Sequence, residues 1–341
     1  MGEIRVYDSQ SLLLLKSFQA HASSIFDLKQ SPFNSDLVAT TSSFFEPCKI
    51  WNQKTGWNLI RTFGSWSWLF EFLSEYLIAV VPFGSSQIDV WSLNTGLLTT
   101  TINAADSITS LSYDCILLFV GFSNGNIKVY NDKAFYLYDS YQIHTSAVTV
   151  LEKIFNQAYV ASVSNDQTIG MWTWQADAPN QFKLNVKKRD FTCLKQINTN
   201  ILAVGSSSGL IELINFNDND NGFSNVIKNL TGHQSNSQIA SLGLLNDGQL
   251  LVSAATDGQI KIWEWSSGKC LSTIDTKVAV YSLAVLKTNP PPITTATTKP
   301  IFTTTNTKTT TTKLITTITP SKFSTTTIFK KKTNSNNFFP G

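Results

Sequence analysis

Histidine and arginine are both scarce in this chain, with three of each among 341 residues. Arg5, Arg61 and Arg189 are too few for a surface that reads phosphates or bases, which leans on the guanidinium fork. Cys48, Cys115, Cys193 and Cys270 lie far apart with no C-x-x-C pair. That spacing excludes a compact disulfide framework and the usual zinc pattern, and it predicts reduced thiols. No apolar run approaches the ~20 residues that cross a bilayer. Near the start, Leu12 to Leu15 is too short for a signal-peptide core, and Val6 stands where a myristoylation motif opened by Gly2 needs Ser or Thr. An intracellular, cytoplasmic protein without membrane attachment is expected. Acids disappear towards the C-terminus: from Thr288 onward there are seven lysines and no Asp or Glu. Residues 1 to 287 therefore hold 19 basic against 23 acidic side chains, a net of −4, and the whole-chain +3 belongs to the tail.

Against these absences stands a recurring phrase of aliphatic, spacer, aliphatic and aromatic residues. It reads Ile4-Arg-Val-Tyr7, Ile50-Trp51, Ile88-Asp-Val-Trp91, Ile127-Lys-Val-Tyr130, Ile169-Gly-Met-Trp172, Ile211-Glu-Leu-Ile214 and Ile260-Lys-Ile-Trp263. Its end positions are 44, 40, 39, 42, 42 and 49 residues apart, the period of an array of small sheets. The clearest copy, residues 233 to 275, divides into four short β-prone runs bounded by Gly, Asn, Asp and Ser. Glycine recurs five places after Trp51, Trp91 and Trp263, at Gly56, Gly96 and Gly268, where a hairpin needs positive φ. Six complete four-stranded sheets follow, at about 23–63, 66–102, 107–142, 147–187, 190–230 and 237–275. Residues 1–19 and 279–287 supply the parts of a seventh. Meeting ends would close a ring and protect its edges.

These residues resemble the WD-repeat β-propeller family. Leu230-Thr-Gly-His233 followed by Leu251-Val-Ser-Ala-Ala-Thr-Asp-Gly-Gln-Ile-Lys-Ile-Trp-Glu264 is near that family's consensus, with Glu where Asp usually follows Trp. The resemblance implies an all-β, seven-bladed propeller over 1–287, and within each blade a buried hydrogen-bonded set of His, Ser or Thr, Asp and Trp. Carried over by position, the sets are His233, Ser253, Asp257 and Trp263; then His144, Ser162, Asp166 and Trp172; then His21, Thr41 and Trp51, with Phe45 where Asp is expected. Ser85, Asn124 and Ser208 hold the Asp position in sheets that lack His.

All three histidines fall at one phase of the repeat, which leaves none for a hydrolase, a metal centre or an imidazole base. No phosphate-cradling glycine loop is present, and the two G-x-S-x-G strings, Gly121 to Gly125 and Gly205 to Gly209, stand in repeat register at the turn before a third strand. Glu71, Glu75, Asp89, Asp106, Glu152, Asp190 and Glu212 form no motif, so a carboxylate-dependent propeller enzyme is the alternative rather than the expectation. No cofactor, metal or small-molecule substrate is expected; the expected role is a non-catalytic scaffold for a protein or peptide partner. On the rim of His-side and Asp-side loops lie Phe44, Phe45, Trp66 with nearby Trp68, Phe83 and Phe122. They act either as interface anchors or as fillers of the gaps left by degenerate sets. Lys187, Lys188 and Arg189 form either a dock for an acidic segment or a solvated loop.

Twenty of the last 54 residues are threonine. A low-complexity, disordered tail over 288–341 is expected, through which association with nucleic acid is an alternative function. Because Thr is β-prone, Ile293 to Thr298 or Ile301 to Thr305 are candidates for the second strand of the closing sheet.

Overall fold

A computed structural model describes residues 2–154, 159–173, 181–184, 190–216, 225–288, 308–319, 324–327 and 331–335. Among them every regular element is a β-strand, and no helix is long and apolar enough to cross a membrane.

Six sheets contain four antiparallel strands each, laid side by side in chain order. The first comprises Ile25–Gln30, Leu37–Ser42, Cys48–Asn52 and Asn58–Phe63, and the second Ser67–Phe72, Leu77–Pro82, Gln87–Ser92 and Leu98–Asn103. The third runs from Ile108–Tyr113 to Leu137–Gln142 and the fourth from Val148–Ile154 to Gln181–Leu184. Phe191–Gln196 to Asn225–Leu230 make the fifth, and Ile239–Leu245 to Lys269–Asp275 the sixth.

One such sheet is too small to be stable alone. The second strands show how stacking solves this. Ile78, Ala79, Val80 and Val81 are all fully buried, as are Leu118, Phe119 and Val120. A strand covered on both faces needs an unbroken aliphatic run rather than alternation, and each buried Val or Ile contributes about 1.5–3 kcal/mol. Fourth strands are mostly exposed instead, as befits an outer edge, and Lys269–Asp275 is exposed at every second residue. The hydrophobic clusters lie between sheets: Ile50, Phe63, Phe70 and Ile78 join the first to the second, and Leu213, Leu230, Ile239 and Leu251 join the fifth to the sixth.

The chain ends lie between the first and sixth sheets. Gly2–Tyr7 pairs with Leu14–His21. Ile4 and Val6 pack on Ile25, Leu28 and Val38, while Tyr7, Val280 and Leu283 pack on Leu245, Val252 and Ile260. Both candidates for the second strand, at 293–298 and 301–305, lie outside the described residues. The segment that pairs with Ala279–Thr288 and with Ile4 to Tyr7 is Lys308–Thr319, and Ser324–Thr327 and Lys331–Ser335 join the same sheet. Regular structure thus occurs inside the stretch expected to be disordered. The physical reason is the run Thr-Thr-Thr-Thr-Lys-Leu-Ile-Thr-Thr-Ile-Thr, whose β-branched residues favour an extended chain beside an open strand edge.

First strands are innermost and line a central channel of about 860 Å³. Each begins with a bulge after its first residue, so that Phe26, Trp68, Thr109, Thr149, Thr192, Ala240 and Tyr281 share one register position. A bulge bends its strand and re-aims a side chain.

Candidate functional site

In the sixth sheet, Ser253 joins three elements. Its Oγ lies 2.7 Å from His233 Nε2 and accepts from Trp263 Nε1 at 2.8 Å. His233 Nδ1 is 2.9 Å from Asp257, which also accepts from the Gln234 amide at 3.0 Å and the Gln259 amide at 2.9 Å. Burial opposes ionisation of Asp257, but these hydrogen bonds outweigh it and hold its carboxyl below the usual range. The loop before the first strand is thereby tied to the loop between the second and third.

The fourth sheet brings together His144, Ser162 and Asp166, with Ser162 Oγ 2.8 Å from His144 Nε2 and Thr168 Oγ1 2.9 Å from Nδ1. Trp172 does not join this set. Its Nε1 has no partner among the described residues, and its ring packs against Tyr141 and Phe119 with centroids 4.9 and 5.6 Å away. The expected four-membered set is three residues plus Thr168, because aromatic packing decides where the indole lies.

The first sheet departs by one residue. His21 Nε2 and Trp51 Nε1 each meet Thr40 Oγ1 at 2.8 Å, whereas Thr41 donates to the Trp68 carbonyl of the next sheet at 2.9 Å. Glu46, not Phe45, fills the acidic place: it lies 2.7 Å from His21 Nδ1, accepts from the Ala22 and Ser23 amides and pairs with Lys49 at 2.8 Å. Thr40 to Trp51 spans eleven residues where Ser253 to Trp263 spans ten. The inserted residue shifts the threonine by one, and successive residues face opposite sides of a strand. Burial pushes His21 down towards its neutral form. Glu46 is opposed by burial too, yet His21 and Lys49 hold its pKa at about 2.

Sheets without histidine keep only the local part of this device. Ser85 accepts from the Gln87 amide at 2.9 Å and Asn124 from the Asn126 amide at 3.0 Å, the bond that Asp257 makes to Gln259; Ser208 meets Ser206 at 2.8 Å.

The aromatic residues separate into two groups. Phe122 is fully buried, sealed in the cluster between the second and third sheets with Lys128 Nζ 4.9 Å above its ring. It is a filler, not a rim anchor. Phe45, Trp66 and Phe83 form a stack: Trp66 lies 4.3 Å from Phe45 and 4.2 Å from Phe83, nearly parallel to the latter at 8°. Trp68 meets Phe83 edge-on at 5.5 Å, and Phe26 lies 5.8 Å from Trp68. The resulting arc crosses the first two sheets and ends at Phe26, which lines the channel. Phe45 is 75% exposed, Phe44 62%, Phe83 49% and Phe26 47%. The indole N–H groups of Trp66 and Trp68 are enclosed without a partner among the described residues, at a cost of about 1–3 kcal/mol each. Phe26 and exposed Tyr281 were missed in the sequence, because no residue type marks the bulge position that they share with Trp68. Lys187, Lys188 and Arg189 lie outside the described residues.

The channel wall carries charge in pairs. Lys29 bridges Glu71 at 2.8 Å and Asp27 at 3.4 Å, Lys153 lies 3.6 Å from Asp114, and Lys195 pairs with Glu152. Burial pushes Glu71 up against the opposing pull of Lys29. Among the described residues no three of His, Cys, Asp and Glu are grouped to hold a metal ion.

The family described as "WD domain, G-beta repeat" matches residues 224–264, which hold His233, Ser253, Asp257 and Trp263. The chain is also 23% identical over 165 residues to "U3 small nucleolar RNA-associated protein 21" of Saccharomyces cerevisiae, a match covering 46% of this chain and 16% of that protein.

Proposed function

We propose that this chain, a divergent WD-repeat β-propeller, is a non-catalytic interaction scaffold that binds a peptide or partner domain on the rim formed by His-side and Asp-side loops. One observation carries the reading: Phe45, Trp66 and Phe83 are stacked into one aromatic unit on these loops, with Phe45 75% and Phe83 49% exposed. Aromatic side chains dominate interface energetics, and rigid loops are where scaffolds carry such residues. The setting is intracellular, and the ring has seven blades, the last made by both chain ends. Pull-down with the parent and with Phe45→Ala, Trp66→Ala and Phe83→Ala is expected to show lower partner recovery for each variant; unchanged recovery with intact folding overturns the reading.

A second reading draws on the name of the yeast relative, which ties that protein to a small nucleolar RNA. Here the lysines of the tail attach the protein to nucleic acid. Binding would then fall steeply with salt and disappear on deletion of residues 288–341.

A further inference from the structure

We propose that the aromatic arc on the first two sheets takes a basic peptide, with arginine guanidinium groups lying against the exposed rings of Phe45 and Phe83. This rests on the reading of the rim as a partner surface and adds the chemistry of the partner.

Charge complementarity selects that partner. Asp27, Glu46 and Glu71 border the arc against Lys29 and Lys49, and His21 is pushed towards neutrality by burial, which leaves one net negative charge. Ser43 to Glu46, Gly64 to Trp68 and Phe83 to Ser86, the segments that build the arc, contain no Lys, Arg or His. These segments offer a phosphate backbone no counter-charge, whereas a cation finds aromatic rings bordered by one more carboxylate than lysine.

Geometry adds to this. Trp66 is flanked by Phe45 and Phe83 and Trp68 stands edge-on to Phe83, so the most open ring of the stack is Phe45, 75% exposed, followed by Phe83 at 49%. Phe45 has φ of 45°, a conformation that is strained for a bulky residue. Glu46 fixes it there, anchoring the loop to the Ala22 and Ser23 amides, His21 and Lys49, while the Ser43 amide donates to Ser24 O at 2.8 Å. Phe45 is thereby held with its ring against Trp66 and most of its surface in water. Guanidinium fits better than ammonium because it is planar, stacks on rings and is more weakly hydrated.

The test titrates the full chain, followed by tryptophan fluorescence, with four probes: a capped twelve-residue peptide alternating arginine and glycine, the same with lysine for arginine, a neutral alternating proline and alanine peptide, and a twelve-nucleotide oligouridine. The arginine peptide is expected to bind about tenfold more tightly than each of the others. Combining Phe45→Leu with Phe83→Leu, which keeps apolar area but removes the π faces, is expected to weaken it about fivefold or more. Equal binding of lysine and arginine peptides, stronger binding of the neutral peptide or the RNA, or no effect of the leucine variant overturns the proposal. Pull-down with the same variant separates the two readings. If partner recovery falls while the arginine peptide does not bind, the basic-peptide assignment alone is overturned; if neither responds, the rim reading falls with it.

Discussion

At the scale of single residues, one hydroxyl decides how much a tryptophan contributes. Trp263 donates to Ser253 and Trp51 to Thr40, but Trp172 donates to no described residue. Trp263→Phe is therefore expected to cost about 1 kcal/mol more than Trp172→Phe, since only the former removes a buried hydrogen bond; urea denaturation giving equal losses would contradict the geometry. Trp263→Ala, which empties a fully buried site, is expected to cost about 3–5 kcal/mol. Glu46 supplies a pH dependence. Its folded pKa of about 2 lies below the ordinary 4.5, so its contribution is complete above pH 4.5 and is lost as pH falls through about 2. Glu46→Gln should remove that part of the acid-unfolding slope and leave the parent and variant curves converging at low pH. In the first sheet His21 and Trp51 were legible but Thr40 and Glu46 were not, because Glu46 stands six residues after Thr40 and five before Trp51, where Asp257 stands four after Ser253 and six before Trp263. The His233 set, free of insertions, was legible in full.

At the scale of strands and turns, a basic residue on one outer strand repeatedly reaches the hairpin of the next sheet. Arg61 donates to the Leu93 carbonyl at 2.8 Å, to the Thr95 carbonyl at 3.5 Å and to Asn94 O. Lys16 reaches Gly56 O at 2.5 Å, and Lys228 reaches Ser266 O. At Gly96 and Gly268 the basic side chain also approaches closely, in addition to the need for positive φ. At Gly96, with φ of 78°, a Cβ would lie 2.7 Å from Arg61 Nη1. Gly96→Ala should cost about 1–2 kcal/mol from backbone strain and the displaced clamp, and Arg61→Ala about 1–2 kcal/mol from the lost charged donors. In the double variant the losses should fall short of their sum, because both act on one contact; strict additivity in thermal melts would show that the clamp is not shared. Strand boundaries were readable here from Gly and Asn turns, but not the bulge that begins each first strand, since no residue type marks it.

For the whole molecule, closure is what turns a row of sheets into a ring. Ile4 and Val6 fasten the chain start to the first sheet, and Val280 and Leu283 fasten the last inner strand to the sixth. With Lys308–Thr319 between them, removing residues 289–341 should expose two strand edges and lower Tm by about 5–10 °C, on the scale of 2–4 °C per kcal/mol for a domain of this size. A Tm unchanged by the deletion would mean that the tail contributes nothing to closure. The pairing of first-strand carboxylates with lysines along the channel also belongs to this scale, because Lys29 and Glu71, or Lys195 and Glu152, come from adjacent sheets.

The sequence by itself determined the period, the four strands of each unit and the shared phase of the three histidines. These follow from local rules, since turn residues and β-branched runs act within a few positions and a sheet that cannot stand alone must stack. Tertiary structure alone decided the rest: that Thr40 rather than Thr41 meets His21, that Phe122 is sealed between sheets while Phe45 stands in solvent, and that Phe26 joins the arc at the channel mouth. The physical reason is that each depends on which neighbouring sheet covers a side chain. Coverage is set by stacking between units some forty residues apart in sequence, a distance over which residue order carries no sign of contact.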